Sequence, residues 1–180
     1  ASASSRPPPN AYPLIIAIEN QGPSGLFTPD TLDLVRWLTE RLATLDAADP
    51  YGITSLATES SISGDQGDLR VEKFLPPGEL VLADAERARN AAMSMEMYLG
   101  TLVSRDGRAT LIAVEPLDQT YSQALYESIL KLVEAAPKSD ETIHVAGEGA
   151  ANGYIGNYID RDSSRLNPLG FALITLMLFL

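Results

Sequence analysis

Thr101-Leu102-Val103-Ser104-Arg105-Asp106-Gly107-Arg108-Ala109-Thr110-Leu111-Ile112-Ala113-Val114 places an Asp-Gly pair between two β-prone runs. Asp-Gly favours a tight reversal whose twist matches that of the flanking strands, so this stretch predicts a β-hairpin. Downstream, Tyr121, Leu125, Ile129, Leu132 and Val133 recur at helical spacing up to Pro137, and Thr142 to Ala146 alternates as a last strand. Upstream, Tyr12 to Glu19 is an isoleucine-rich apolar run closed by the turn-forming Asn20-Gln21-Gly22-Pro23, which predicts a buried strand.

Thr28-Pro29-Asp30 is a helix start: threonine can cap, proline suits the first position, and aspartate favours the positive end of the helix dipole. Val35, Leu38, Leu42 and Leu45 then give one apolar face to a helix over 29–46. Asp49-Pro50-Tyr51-Gly52 reads as a breaker and Ile53 to Thr58 as a short strand. Ser60 to Asp68 reads as a polar loop, without the alternating oxygen ligands of a calcium loop. Leu69 to Leu75 reads as a strand ended by Pro76-Pro77-Gly78, and Ala83 to Tyr98 as a helix. With that strand and helix set aside as an insertion, the order is β-α-β-β-α-β. The expected class is α+β, a ferredoxin-like split β-α-β sandwich with its helices on one face of the sheet.

The chain has 180 residues, 45% of them apolar, enough for one domain's core. A net charge of −11 repels polyanions, so nucleic acid is not an expected partner. The absence of cysteine excludes disulfides and thiolate chemistry. The single histidine, His144, sits in the alternating last strand, and one imidazole does not make a zinc site. Gly147-Glu148-Gly149-Ala150-Ala151-Asn152-Gly153 follows a strand, but its third glycine falls one place late for a dinucleotide fingerprint and no acidic ribose ligand follows. The glycines read as a strand-to-helix turn. There is no Gly-x-Ser-x-Gly elbow, no phosphate-binding Gly-Lys-Ser/Thr and no second histidine to serve a nucleophile. We therefore expect no enzyme, no catalytic residues, no metal and no cofactor.

The end of the chain reads Leu166-Asn167-Pro168-Leu169-Gly170-Phe171-Ala172-Leu173-Ile174-Thr175-Leu176-Met177-Leu178-Phe179-Leu180, without a charge. A core helix keeps a polar stripe and this run has none, so it reads as a truncated transmembrane span in contact with lipid. Tyr154, Tyr158 and Arg165, ahead of it, suit the membrane interface. The expected organisation is a linker or tail over 1–11, an extracytoplasmic domain over 12–149, and a helix entering the membrane over 150–180.

The order of these elements resembles the first porter domain of the RND superfamily, in particular the MMPL-like and hopanoid-type exporters. The resemblance covers residues 12 to 180. It rests on Tyr12-Pro13-Leu14-Ile15-Ile16-Ala17-Ile18-Glu19, on Gly25-Leu26-Phe27-Thr28-Pro29-Asp30-Thr31-Leu32, on Arg105-Asp106-Gly107-Arg108-Ala109-Thr110-Leu111-Ile112, on Ala146-Gly147-Glu148, and on Asp160-Arg161-Asp162 before the apolar end. It implies proton-driven export of hydrophobic or lipidic substrates across a bacterial inner membrane, with this domain on the periplasmic or extracellular side. The implied partners are a hydrophobic or lipidic small molecule, the rest of the same transporter chain including a second porter domain, and the bilayer through 166–180. Proton coupling in such transporters uses ionisable groups in later membrane helices, and 166–180 holds none. Met93, Met97 and Tyr98, read as near neighbours on one helix, are the substrate-path candidates, since flexible thioethers suit adaptable apolar surfaces. The rival expectation is a membrane-anchored ligand-binding or assembly domain without transport activity.

Overall fold

Strict alternation marks the two strands that form the centre of the sheet. In β1 (Leu14–Glu19), Leu14, Ile16 and Ile18 are fully buried while Ile15, Ala17 and Glu19 are only partly so. The strand over Ala109–Pro116 buries Thr110, Ile112, Val114 and Pro116 in the same two-residue rhythm. The pair is antiparallel, with Leu14 opposite Val114, Ile16 opposite Ile112 and Ile18 opposite Thr110, so the buried positions meet row by row. Fully burying each of these aliphatic side chains contributes about 1.5–3 kcal/mol.

The computed structural model describes residues 12–65, 68–137 and 140–147. Its elements are β1, α1 (Pro29–Leu42), β2 (Ala48–Thr54), β3 (Ser60–Asp65), β4 (Asp68–Lys73), α2 (Leu82–Ser94), β5 (Ala109–Pro116), a short 3-10 turn over 119–121, α3 (Ser122–Glu134) and β6 (Thr142–Ala146). The class is mixed α+β. A four-stranded sheet runs β2-β5-β1-β6 with every neighbouring pair antiparallel, and β3 and β4 form a separate two-stranded ribbon. Leu32, Val35, Leu38 and Leu42 of α1 and Leu125 and Ile129 of α3 are fully buried in one core with the inward rows of β1 and β5. On the opposite face of the sheet, Ile15, Ala17, Leu111 and Ala113 stay half-exposed, with His144 and Ala146 exposed beside them.

α1 begins as its sequence dictates. The Thr28 hydroxyl accepts the Thr31 N–H at 3.2 Å, Pro29 occupies the first turn, and Asp30 faces the positive end of the dipole. The helix stops at Leu42, four residues short of expectation. There the Thr44 hydroxyl donates to the Arg41 carbonyl at 2.7 Å and tight i→i−3 bonds turn the chain toward β2. The expected breaker Asp49-Pro50-Tyr51-Gly52 lies inside β2 instead. β2 is an edge strand whose register shifts between Ala48 and Ile53, and an edge tolerates proline because its outward N–H serves no ladder. Ser55 to Thr58, expected as strand, forms a turn in which the Ser55 carbonyl accepts from Thr58 and Glu59.

The insertion also departs from expectation. Ser60 to Asp65 is strand rather than loop, paired from Ser60–Lys73 to Asp65–Asp68. α2 ends at Ser94, not Tyr98. The arm Thr101–Ser104 is reduced to a bridge: Val103 pairs with Thr110, Ser104 N–H donates to the Ala109 carbonyl at 2.9 Å, and Leu111 N–H donates to the Leu102 carbonyl at 3.1 Å. The Asp-Gly reversal itself forms. Asp106 accepts from the Ser104 hydroxyl at 2.6 Å, which holds its carboxyl below the usual range, and Gly107 takes a positive φ of 67°. The base of the insertion joins the buried core and is braced internally. Phe74 and Leu75 are buried, and Ala85, Ala88 and Ala92 form a small-residue stripe on α2. Tyr98 packs edge-on against Phe74 at 5.2 Å. Its hydroxyl donates toward Glu59 at 3.1 Å and the Ser60 carbonyl at 3.3 Å.

No helix among the described residues is long and apolar enough to cross a membrane. The expected span at 166–180 and the whole 150–180 segment lie outside the described residues.

Gly25 has φ 60° and an added Cβ would lie 2.6 Å from the Gly107 carbonyl oxygen, whereas Gly78 has φ 99° and nothing within 4 Å. Gly25→Ala should therefore lose about 2–4 kcal/mol in urea unfolding and Gly78→Ala about 1 kcal/mol; equal losses would contradict the close approach. For Tyr98, burial first and then Glu59 raise the phenol's pKa. A raised pKa gives stability that is complete below the unfolded value of about 10 and is lost as pH climbs through the folded one. Tyr98→Phe should be less stable than the parent by about 1 kcal/mol at neutral pH. That gap should narrow in unfolding experiments at strongly alkaline pH, and a gap independent of pH would contradict the assignment.

Candidate functional site

Three pieces of chain meet at the end of the sheet where β1 runs out. The β1–α1 loop, residues 20–28, is stapled to the Asp-Gly turn. Asn20 N–H donates to the Arg108 carbonyl at 2.9 Å, Leu26 N–H donates to the Gly107 carbonyl at 3.0 Å, and Leu26 and Phe27 are buried. Within the loop, the Asn20 side chain accepts the Gly22 N–H at 2.8 Å, an Asx-type turn that explains asparagine at this position. The third piece is the α3–β6 connection, whose Glu141 reaches α1. The Glu141 carboxylate accepts from the Thr31 hydroxyl and from Asn20 Nδ2 at 3.4 Å, and Asn20 Nδ2 also lies 2.8 Å from Thr31 Oγ1. Thr28 and Thr31 hydroxyls are 2.7 Å apart, so one polar network joins the ends of β1, α1 and β6.

Beside this network lies a cleft of about 790 Å³, bounded by the β1–α1 loop, one side of α1 and Pro137, Asp140 and Glu141. That is within the size range of small-molecule sites. Pro23, buried Leu34, half-buried Trp37 and Pro137 supply apolar lining. Asp30, Asp33, Asp140 and Glu141 supply carboxylates, and the described lining contains no Lys, Arg or His. Asp33 is engaged by Arg36, whose other guanidinium nitrogen donates to the Pro76 carbonyl at 2.9 Å and so braces α1 against the insertion. Asp30 and Asp140 are exposed at the rim. Trp37 carries the Arg41 guanidinium 5.3 Å from its ring centre, one helical turn further on. Among the described residues no group of His, Cys, Asp and Glu is disposed to hold a metal ion. The described lining offers an apolar surface, carboxylates at the rim and hydrogen-bonding side chains, which is equipment for binding.

The expected substrate-path residues do not share a helix face. Met93 is half-buried on α2, and a Cβ on Gly107 would meet its sulfur at 3.8 Å and Phe27 at 3.5 Å. Met97 and Tyr98 follow the end of α2. Met97 is 68% exposed, and Tyr98 is turned to Phe74 and Glu59. Tyr154, Tyr158 and Arg165 lie outside the described residues, as does the glycine-rich turn beyond Gly147. Gly147 itself has φ 142°, and a Cβ there would meet Leu14 Cδ2 at 2.8 Å. Close approach to β1 is thus sufficient reason for glycine at this position. The cleft was not expected from sequence. Its residues come from stretches far apart in the chain, and Asn20-Gln21-Gly22-Pro23 reads only as a turn until Glu141 is brought beside it.

The model of the MMPL family matches residues 55–180, which takes in the insertion, β5, α3, β6 and the apolar end. No curated protein matches the chain. A match over more than half of the sequence, agreeing with the resemblance carried by the Arg105–Ile112 and Ala146–Glu148 stretches, establishes that the chain belongs to the MMPL family, within the RND/MMPL exporter superfamily.

Proposed function

We propose that this chain is the extracytoplasmic porter domain of a proton-driven RND-type exporter of hydrophobic or lipidic substrates, and that it forms part of the substrate path outside the membrane. The observation that carries the reading is the family match across residues 55–180. The sheet order supports the finer fold assignment. Without β3, β4 and α2, the elements run β-α-β-β-α-β and the antiparallel strands stand β2-β5-β1-β6, the arrangement expected of a ferredoxin-like domain. A sheet with helices on one side leaves its other face available. Here that face carries Ile15, Ala17, Leu111 and Ala113, a surface suited to a second porter domain of the same transporter.

On this reading the domain does no chemistry of its own. It binds, and it moves relative to its companion as the membrane helices rearrange. The uncharged run at 166–180 would lead into the membrane, with Tyr154, Tyr158 and Arg165 at the interface.

These 180 residues contain no cysteine, so one thiol introduced here tests the topology in a complete transporter whose cysteines elsewhere are replaced by serine. Tyr51 is 88% exposed on edge strand β2. In the complete membrane-inserted transporter, Tyr51→Cys should react with a membrane-impermeant maleimide added from outside, and efflux of a fluorescent lipid from the same cells should stop when a protonophore collapses the gradient. Labelling only after lysis would contradict the extracytoplasmic assignment. Efflux that ignores the protonophore, or no efflux at all, would leave the rival ligand-binding or assembly domain as the better account.

A further inference from the structure

The end of the sheet where the described chain enters and leaves has a surface unlike the rest of the body. β1 and β6 are antiparallel with Ile15 opposite Ala146, so the chain comes in at the start of β1 and goes out at the end of β6 on the same side. β5 finishes there at Pro116, opposite Ala48 at the start of β2. Large exposed apolar side chains gather at this end. Among the described residues outside the insertion, Tyr12, Tyr51, Leu117 and Tyr121 stand 69%, 88%, 55% and 48% exposed around it, and the remaining exposed large apolar residue is Leu130 on α3. Leu117 and Tyr121 are presented by a fixed turn. Leu117 N–H donates to the Ala47 carbonyl at 3.0 Å, the Asp118 carboxylate accepts the Thr120 N–H at 3.0 Å, and Tyr121 N–H donates to the Asp118 carbonyl at 3.0 Å. Apolar residues exposed singly are ordinary, and it is their concentration at one end that calls for a partner.

Residue type and chain path together name that partner. Three of the four are tyrosines, whose ring is apolar in body and polar at its tip and so suits the headgroup level of a bilayer. The chain that leaves this end at Gly147 runs on to the uncharged segment 166–180, which on the reading above enters the membrane. The opposite end of the sheet carries the Asp-Gly turn, with Arg105, Asp106 and Arg108 exposed. We infer that the entry-and-exit end is a lipid-docking surface, on which Tyr12, Leu117 and Tyr121 sit in the headgroup layer of the bilayer and hold the domain against the membrane. Asp46 and Asp118, exposed at the same end, limit the contact to the hydrated layer. Tyr51 lies a step further up, on β2 between the Ala48–Pro116 and Ile53–Val114 pairs, and stays within reach of water-soluble reagents. The assignment rests on the membrane placement of 166–180 and not on transport.

The test uses the complete transporter, its cysteines elsewhere replaced by serine, in phosphatidylcholine vesicles. An environment-sensitive NBD label is attached at Leu117→Cys or at Tyr121→Cys, and at Arg105→Cys, exposed at the opposite end, as the reference. Because these positions are exposed, the label displaces no core side chain. Labels at Leu117→Cys and Tyr121→Cys should emit further to the blue than the reference. They should also lose fluorescence when phosphatidylcholine with a nitroxide on its headgroup is included, and lose less when the nitroxide lies deep on an acyl chain. The reference should respond to neither lipid. Blue-shifted labels that no nitroxide lipid quenches would mean that another part of the protein covers this end, and would overturn the assignment. So would labels at Leu117→Cys and Tyr121→Cys that read as in water, or equal quenching at Arg105→Cys. Quenching depends neither on efflux nor on which side of the membrane the domain occupies. A transporter quenched at Leu117→Cys and Tyr121→Cys but without proton-driven efflux would refute the transport reading and leave this one standing, and efflux without quenching would do the reverse.

Discussion

Burial of one face of the β1–β5 pair is the constraint on which the rest depends. Leu14, Ile16 and Ile18 stand opposite Val114, Ile112 and Thr110, and a shift of one residue in either strand would turn the buried row to the open face. Register at the centre is therefore set by hydrophobic pattern. It propagates outward: β6 takes its register from β1, with Val145 opposite Ile16, and β2 takes its own from β5, with Ile53 opposite Val114. Because β1 ends at Glu19 opposite Ala109, the loop after β1 is delivered to the Asp-Gly turn before β5. The hydrogen bonds from Asn20 and Leu26 to Arg108 and Gly107 then hold it there. The cleft is a consequence of that junction.

Seen this way, the sequence stretches that carry the family resemblance are mostly structural. Gly25-Leu26-Phe27 and Arg105-Asp106-Gly107-Arg108 are the two sides of one seam, and Gly25 and Gly107 are both needed at positive φ where the backbones approach. Thr28-Pro29-Asp30 starts α1 at the edge of that seam, and Thr28 and Asp30 also line the cleft. Trp37 and Asp140, which also line the cleft, lie outside these stretches. The cleft lining and the seam share a helix start but not a residue set.

The legible parts were those governed by local physics. The isoleucine-rich run of β1, the alternation of β6, the capped start of α1, the amphipathic spacing of α3 and the Asp-Gly reversal all depend on neighbours in sequence, and each is found where it was expected. The misreadings share a different cause. β2 admits Pro50 because it is an edge strand, a property of the finished sheet. β3 is a strand because β4 pairs with it, and its Ser-Ile-Ser-Gly composition is poor in strand formers. The Thr101–Ser104 arm shrinks to a bridge because β2 occupies the remaining length of the same β5 edge, at Ala113, Val114 and Pro116. The cleft needed Glu141 beside Thr31, residues 110 apart in sequence, which no periodicity reveals.

The β1–β5 body is the stable part of the molecule and holds the cleft, and the β3–β4 ribbon is an attachment secured at its base by Phe74 and Tyr98. Native-state amide hydrogen exchange tests that division directly. The predicted result is that the amides of Ile16 and Ile112 exchange only through global unfolding, while those of Ile62 and Val71 exchange orders of magnitude faster through local opening of the ribbon. Equal protection of both regions, or faster exchange in β1 and β5 than in the ribbon, would contradict it.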